Sequence, residues 1–417
     1  MKHSSQNSNT LYLYLEPYTF SVVSRNDVLI YNSLNRKILE YRGAAAIADL
    51  ISKTEDASEG FLAEIIVPPG QSDISTLLSD LKESFSGDLV SLQPGNKPSV
   101  IRPKPVIKNY PPAKDFPSFS ADDYLRNIYF FLNEDNDKLC TNYRFASEQF
   151  SCPVYNSQGY SEMDFGVVIN ACSPHSGVGG IGLDLSGSDI TRYSRFSDML
   201  KQARKLSLPL TFHIPLPCHE PDLVWNALRT VRSRVSFYIT FPDGPSALRE
   251  IRKNPEFIKK QKRIELNFLI RSIGEYQSLT GLINEGGSEK TFIFPYFDGL
   301  NQGFFKENVF LAKNDILNLK PNQQQIYSRS LINEHLFGKI FIKTNGDAYA
   351  NLNHNSIGNI RDARISDLVR NELYDGQSWN LTRMKVKPCS GCLYRLFCPP
   401  VGNYELFMKK FNFCDVL

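Results

Sequence analysis

From about residue 121 the chain alternates short apolar runs with helix-like segments, and no other feature limits its fold so tightly. The apolar runs are NIYFFL, IGLDL, LTFHI, VSFYITF, RIELNFLI and TFIFPYF, rich in β-branched and aromatic residues. Between them lie RFSDMLKQARKL, DLVWNALRTV, SALREIRKN and GEYQSLTGLI, with helical spacing of their apolar positions. Strands joined through helices pair in parallel, because a parallel neighbour is reached only by a long crossover. The repeated βα unit predicts an α/β fold whose parallel sheet is flat or curled into a partial (β/α)6 barrel. In such sheets the working groups sit at the carboxyl ends of the strands.

The flanks read differently. Residues 1–93 predict a small α+β domain. LYLYLEP, FSVVS, VLIYN and KILEY read as strands broken by turn residues, and GAAAIADLI has helical character. FLAEIIVPP is mixed, and DISTLLSDLKESF reads as a helix with Asp73 as its N-cap. Residues 94–120 hold prolines at positions 94, 98, 103, 105, 111, 112 and 117. That density excludes a helix or central strand and predicts an extended linker. Residues 121–335 form the barrel-like region and 336–417 a separate Cys-rich end. In the latter, FGKIFIKTNGDAYANLN reads as a hairpin turning at Asn345-Gly346, followed by a helix near 365–373.

A net charge of +3 gives no electrostatic case for nucleic acid or an anionic membrane. The polar opening MKHSSQNSNT has no apolar core of a secretory signal, and no apolar run is long enough to span a bilayer. These features predict a cytoplasmic protein, where thiols and metal ligands are expected rather than disulfides.

Cysteine usage carries the chemistry. Of 8 Cys in the chain, Cys389, Cys392, Cys398 and Cys414 crowd into the tail, beginning with a CxxC. Four thiolates satisfy either a tetrahedral zinc or a 4Fe–4S cluster, and spacing alone leaves the two open. Cys152, Cys172 and Cys218 have no partner spacing and read as small buried residues. His213, Cys218 and His219 could pair on a metal, but the intervening Ile-Pro-Leu-Pro keeps the chain extended, so His213 reads as a strand residue. His175 reads as an ordinary loop histidine. The glycines at 177, 179, 180 and 182 precede a strand and lack the Lys-Ser/Thr of a phosphate loop. The basic run at 251–263 reads as a solvated face, with an acidic partner as the runner-up.

Several stretches resemble the radical SAM enzymes. The chain leaving the first barrel strand is similar to their CxxxCxxC loop, and the register puts the cluster ligands on Asn136, Cys140 and Tyr143, of which only Cys140 is a thiol. The Gly-Gly-Glu that meets the amino group of SAM corresponds to Ser186-Gly187-Ser188, with Asp189 one residue away. The tail is similar to a SPASM domain, whose second auxiliary cluster uses a ligand set matched by Cys389, Cys392, Cys398 and Cys414. Ligands of the first auxiliary cluster correspond to Asn351 and Gly402, which cannot supply sulfur. The front domain is similar to the winged-helix-like, three-strand and three-helix leader-recognition domains of ribosomal-peptide maturation enzymes. With LYLYLEPY at the start and CxxCLYRLFCPPVGNYE at 389–405, the whole resembles the pseudo-radical-SAM proteins of GG-Bacteroidales peptide systems.

The resemblance implies a non-catalytic factor that handles a ribosomally made GG-leader precursor and holds one 4Fe–4S cluster, or zinc, without SAM. It implies partners such as a peptidase-transporter or a maturation enzyme. Two other readings remain: a redox or radical peptide-modifying enzyme using the tail cluster, and a zinc-stapled structural scaffold.

Overall fold

The computed structural model describes residues 10–56, 62–65, 72–92, 120–136, 142–284 and 290–416. Cys140 and the linker, save Ser120, lie outside the described residues.

The front of the chain builds two three-stranded antiparallel sheets. One has the order β5-β1-β6, from β1 (Thr10–Leu15), β5 (Leu62–Ile65) and β6 (Gly87–Leu92). The other has the order β2-β3-β4, from β2 (Thr19–Ser24), β3 (Asp27–Asn32) and β4 (Ile38–Tyr41). Helices Ala45–Asp56 and Ser72–Glu83 cover them, burying Ile47, Leu50, Ile51, Leu77 and Leu81 against Leu13, Leu15, Val28 and Ile30. Two helices and six strands therefore stand among the described residues of this region, where the resemblance implies three of each. FLAEIIVPP supplies β5 rather than a middle helix, consistent with its β-branched isoleucines. Asp73 falls in the first helical turn rather than at the cap, where its carboxylate faces the positive end of the helix dipole.

Six parallel strands follow in chain order: β7 (Asn127–Glu134), β9 (Gly182–Gly187), β10 (Leu210–Leu216), β11 (Ser233–Ile239), β12 (Ile264–Ile270) and β13 (Lys290–Pro295). A two-residue strand, β8 (Ser161–Glu162), pairs antiparallel with the end of β7. On the other side of β7, β14 (Lys339–Ile342) adds in parallel and leads the hairpin with β15 (Asp347–Tyr349) and the short β16 (Gly358–Asn359). The hairpin turn places Gly346 at φ +91°, a conformation that favours glycine.

Side chains alternate across this sheet, as strand geometry requires. Ile128, Phe130, Leu183, Leu185, Phe212, Ile214, Val235, Phe237, Leu266 and Phe268 share one core with Phe196, Met199, Val224, Trp225, Leu248 and Leu279 of the crossover helices. The intervening positions carry Asp184, Ser186, His213, Ser236, Tyr238 and Asn267, all buried. One face is thus an apolar helix-packing surface, and the other mixes these polar groups with Tyr129, Phe131 and Leu269.

The first crossover contains a helix absent from the periodicity, Phe165–Cys172, started by Asp164 accepting from the Gly166 N–H at 2.8 Å. Its sequence, FGVVINAC, is nearly all apolar, so no polar stripe marks it as a helix. His175 closes this segment buried, with Nδ1 3.0 Å from Asp122 Oδ1, and is not a free loop residue.

Candidate functional sites

The carboxyl ends of β7 and β9 meet at an irregularity, where the register shifts between Phe131 and Asn133. Such a bulge bends a strand and re-aims the residues beyond it. Segment 151–155 lies across this mouth. Ser186 Oγ donates to the Ser151 carbonyl, and Ser188 Oγ donates to the Val154 carbonyl. Val154 N donates to the Gly187 carbonyl at 3.3 Å, and Asp135 N donates to Ser188 Oγ at 2.6 Å. A side chain at Gly187 would begin 2.0 Å from Asn133 Oδ1. Cys152, within this segment, is fully buried.

The neighbouring acid is equally engaged. Asp189 Oδ1 accepts from Thr191 N and Oγ1 at 2.9 and 2.7 Å, and Oδ2 accepts from His219 N at 2.6 Å. Burial nevertheless holds its carboxyl above the usual range. It caps the Ile190–Arg192 turn and, through the His219 N–H, ties down the loop after β10.

Tyr143 is a packing residue. Its ring is fully buried beside Tyr296, with centroids 4.9 Å apart, and its hydroxyl accepts from Phe241 N at 2.8 Å. Asn136 is exposed. Within the interior, His213 Nε2 lies 2.8 Å from Asp184 Oδ1 and Nδ1 lies 3.2 Å from the Tyr238 hydroxyl, while Asn127 Nδ2 donates to Asp184 Oδ2 at 2.7 Å.

The tail is organised around a residue that its sequence does not advertise. Arg383 meets Glu405 through two charge-assisted bonds, Nη1–Oε1 at 2.6 Å and Nη2–Oε2 at 2.8 Å. It also donates to the carbonyls of Pro399, Pro400 and Phe411 at 2.9, 3.3 and 2.8 Å, and its Nη1 lies 3.8 Å from Cys389 Sγ. Both partners are buried, and the fork geometry of arginine lets one side chain join three chain segments. Their separation of 22 residues hides the pair from any local reading.

Of the four tail sulfurs, Cys389 touches this staple directly. Cys389 Sγ donates to the Phe411 carbonyl at 3.0 Å, and Cys392 Sγ accepts from Tyr394 N at 3.4 Å. Burial pushes the Cys398 thiol up to about 12; Arg383 opposes the shift, and Cys392, Cys389 and Cys414 add to it. Cys392, Cys398 and Cys414 pack in one apolar cluster with β2 and β3, and Cys389 lies in the main core. Among the described residues, however, no three His, Cys, Asp or Glu side chains stand together as a ligand group. As a donor set the quartet fits a thiolate-bound metal: it is all sulfur, with an N–H and a guanidinium directed at it. Buried thiols stay protonated without a cation, and a bound metal reverses that preference.

At the position that the resemblance assigns to the first auxiliary cluster, Asn351 is buried and its Nδ2 donates to Asn403 Oδ1 at 2.8 Å, next to Gly402. Asn353 N and Nδ2 donate to the Asn351 Oδ1 at 2.9 and 3.0 Å. Amide pairs thus complete one another there.

The tail also joins the front of the chain. Phe20, Val22, Leu29 and Tyr31 form one core with Cys392, Leu393, Tyr394 and Phe397. Tyr31 and Phe397 rings lie 4.7 Å apart, and the Tyr31 hydroxyl donates to the Pro321 carbonyl at 2.9 Å. At the rim, Tyr394 and Lys313 both donate to Glu40 Oε1, at 2.8 and 3.0 Å, and Ser24 Oγ donates to the Gly391 carbonyl at 2.8 Å. The loop that carries Cys392 is therefore itself the docking surface for β2–β4.

No family model matches this chain, and no curated protein does. Among solved structures, SuiB of Streptococcus suis matches at 11% identity and TM-score 0.46, covering 96% of this chain and 97% of that one. SuiB bound to precursor peptide SuiA matches at 11% identity and TM-score 0.40, covering 96% and 98%. BtrN in complex with AdoMet and 2-DOIA matches at 14% identity and TM-score 0.29, covering 60% and 83%. Among the described residues no helix is long and apolar enough to cross a membrane.

Proposed function

We propose that this chain is a non-catalytic, pseudo-radical-SAM factor that binds a ribosomally made precursor peptide and holds one 4Fe–4S cluster on Cys389, Cys392, Cys398 and Cys414. The observation that carries the non-catalytic reading is the closed mouth of the sheet. Ser186 and Ser188 donate to the chain's own Ser151 and Val154 carbonyls, so a cofactor amino group at that position would have to displace them. The packing of Tyr143 into the core supports the same reading.

In this reading the central region is a partial barrel that serves as a docking body, and the tail is a SPASM-like domain with one centre. The cluster, when bound, would tie Cys389, Cys392, Cys398 and Cys414 together and could carry an electron. Arg383 and Tyr394 N would direct hydrogen bonds at its sulfurs, and the β2–β4 sheet would shield the Cys392 loop from water. The front domain would take the leader by strand addition; β4 and β5 end their sheets among the described residues, and an edge strand offers unpaired backbone groups.

The test uses the full chain, purified anaerobically, with a synthetic Gly-Gly-leader precursor peptide and with SAM under reducing conditions. Saturable peptide binding by fluorescence anisotropy without formation of 5′-deoxyadenosine is expected. SAM cleavage overturns the non-catalytic reading, and absence of peptide binding overturns the partner.

A further inference from the structure

At the amino-terminal end of the sheet, opposite the mouth, lies a cavity of about 930 Å³. Its walls come from the starts of β7, β9, β10 and β11 and from the turns that lead into them, including Asn127, Gly182, Thr211 and Ser233. Five cations face it: Arg204, Arg232, Arg234, Lys262 and Arg263. No Asp or Glu is among the lining residues. In a chain whose net charge is only +3, five positive side chains on one concavity are a concentration, not a share of an even surface.

One of the five is already committed. Arg263 donates to the carbonyls of Leu228, Val231 and Ser233 at 3.2, 2.9 and 2.6 Å, fastening the end of helix Pro221–Thr230. Burial and the like charge of Arg232 both push its guanidinium below the ordinary value, a repulsion that an anion would relieve. Arg204, Arg232, Arg234 and Lys262 are exposed, and no carboxylate pairs with them among the described residues. The carboxylate behind the floor, Asp184, is engaged by Asn127 and His213. The basic run 251–263 reads in sequence as a solvated face; its last two residues instead line this cavity.

We propose that this cavity binds a compact polyanion of the diphosphate class. Arginine forks match phosphate oxygens in bidentate pairs, and the volume exceeds a lone phosphate while falling in the range of small-molecule sites. Enclosure by strand starts and turns favours a compact ligand over an extended acidic peptide. The site is separate from the tail cysteines and independent of the peptide reading.

Titration calorimetry on the full chain at low ionic strength tests it, with inorganic pyrophosphate, ADP and pentaglutamate as probes. One pyrophosphate per chain is expected, weakened about tenfold or more in the Arg232→Ala/Arg234→Ala double variant, by loss of charge-assisted hydrogen bonds. Lys306→Ala, which removes a charge outside the cavity, should bind as the parent does. Both double-variant positions are exposed at strand and turn starts, and circular dichroism checks that the fold is kept. Tighter binding of ADP than of pyrophosphate assigns a nucleotide, and equal binding assigns the diphosphate alone. Absence of binding by both, undiminished binding in the double variant, or binding of pentaglutamate alone overturns the proposal.

Discussion

The mouth of the central sheet and the C-terminal tail both correspond to cofactor positions in the resemblance, yet they treat their polar groups in opposite ways. At the mouth, Ser186, Ser188 and Asp189 are matched by backbone partners of the same chain. In the tail, Arg383 and Glu405 complete each other, while Cys389, Cys392 and Cys398 are thiols whose ionisation is opposed by burial. A site that has become structure satisfies its own hydrogen bonds; a site kept for a ligand retains groups whose preferences only the ligand reverses.

The sharpest way to break this contrast is to remove the tail staple. Arg383→Ala leaves the Glu405 carboxylate buried and unpaired and should cost about 3–5 kcal/mol, read as a fall in the denaturant midpoint. Loss under 1 kcal/mol would mean that the tail is held by something else. Ser188→Ala strands the Asp135 N–H and the Val154 carbonyl and should cost about 1–3 kcal/mol. Under the contrast it must not create SAM binding; if calorimetry detects SAM in that variant, the mouth is a closed gate rather than converted structure. Tyr31→Phe removes the hydrogen bond from the front of the chain to the Pro321 carbonyl and should cost about 0.5–1.5 kcal/mol with no change in metal content.

The smallest effect is a slope. Burial holds the Glu372 carboxyl above its ordinary value, although the backbone N–H groups of Ser378 and Trp379 donate to Oε1, each at 2.8 Å. The native state then binds this proton more tightly than the unfolded chain does. Its contribution is greatest below the unfolded carboxylate value and declines as pH rises through the window between that value and the raised one. Glu372→Gln keeps the Oε1 acceptor and should flatten that decline in stability measured across the weakly acidic range.

Much of the architecture is legible in the chain because it is local. All six apolar runs became the parallel strands, the Asn345-Gly346 turn became the hairpin, and the helix expected near 365–373 spans Ile365–Asp375. Helix Phe165–Cys172 escaped because a buried helix of apolar and β-branched residues shows no amphipathic stripe. The groups that decide the sites escaped because they act across distance. Arg383 finds Glu405, Ser186 finds Ser151, and His175 finds Asp122, with no spacing rule to announce them. The cysteines were visible as a pattern, but not the way the Cys392 loop packs beneath β2–β4.

Iron and acid-labile sulfide, measured on anaerobically purified full chain, test the central claim most directly. The account predicts a brown protein with about four of each per chain, abolished by Cys398→Ser and unchanged by Cys140→Ser. A colourless protein, one zinc in place of iron, or iron that disappears with Cys140 would contradict it.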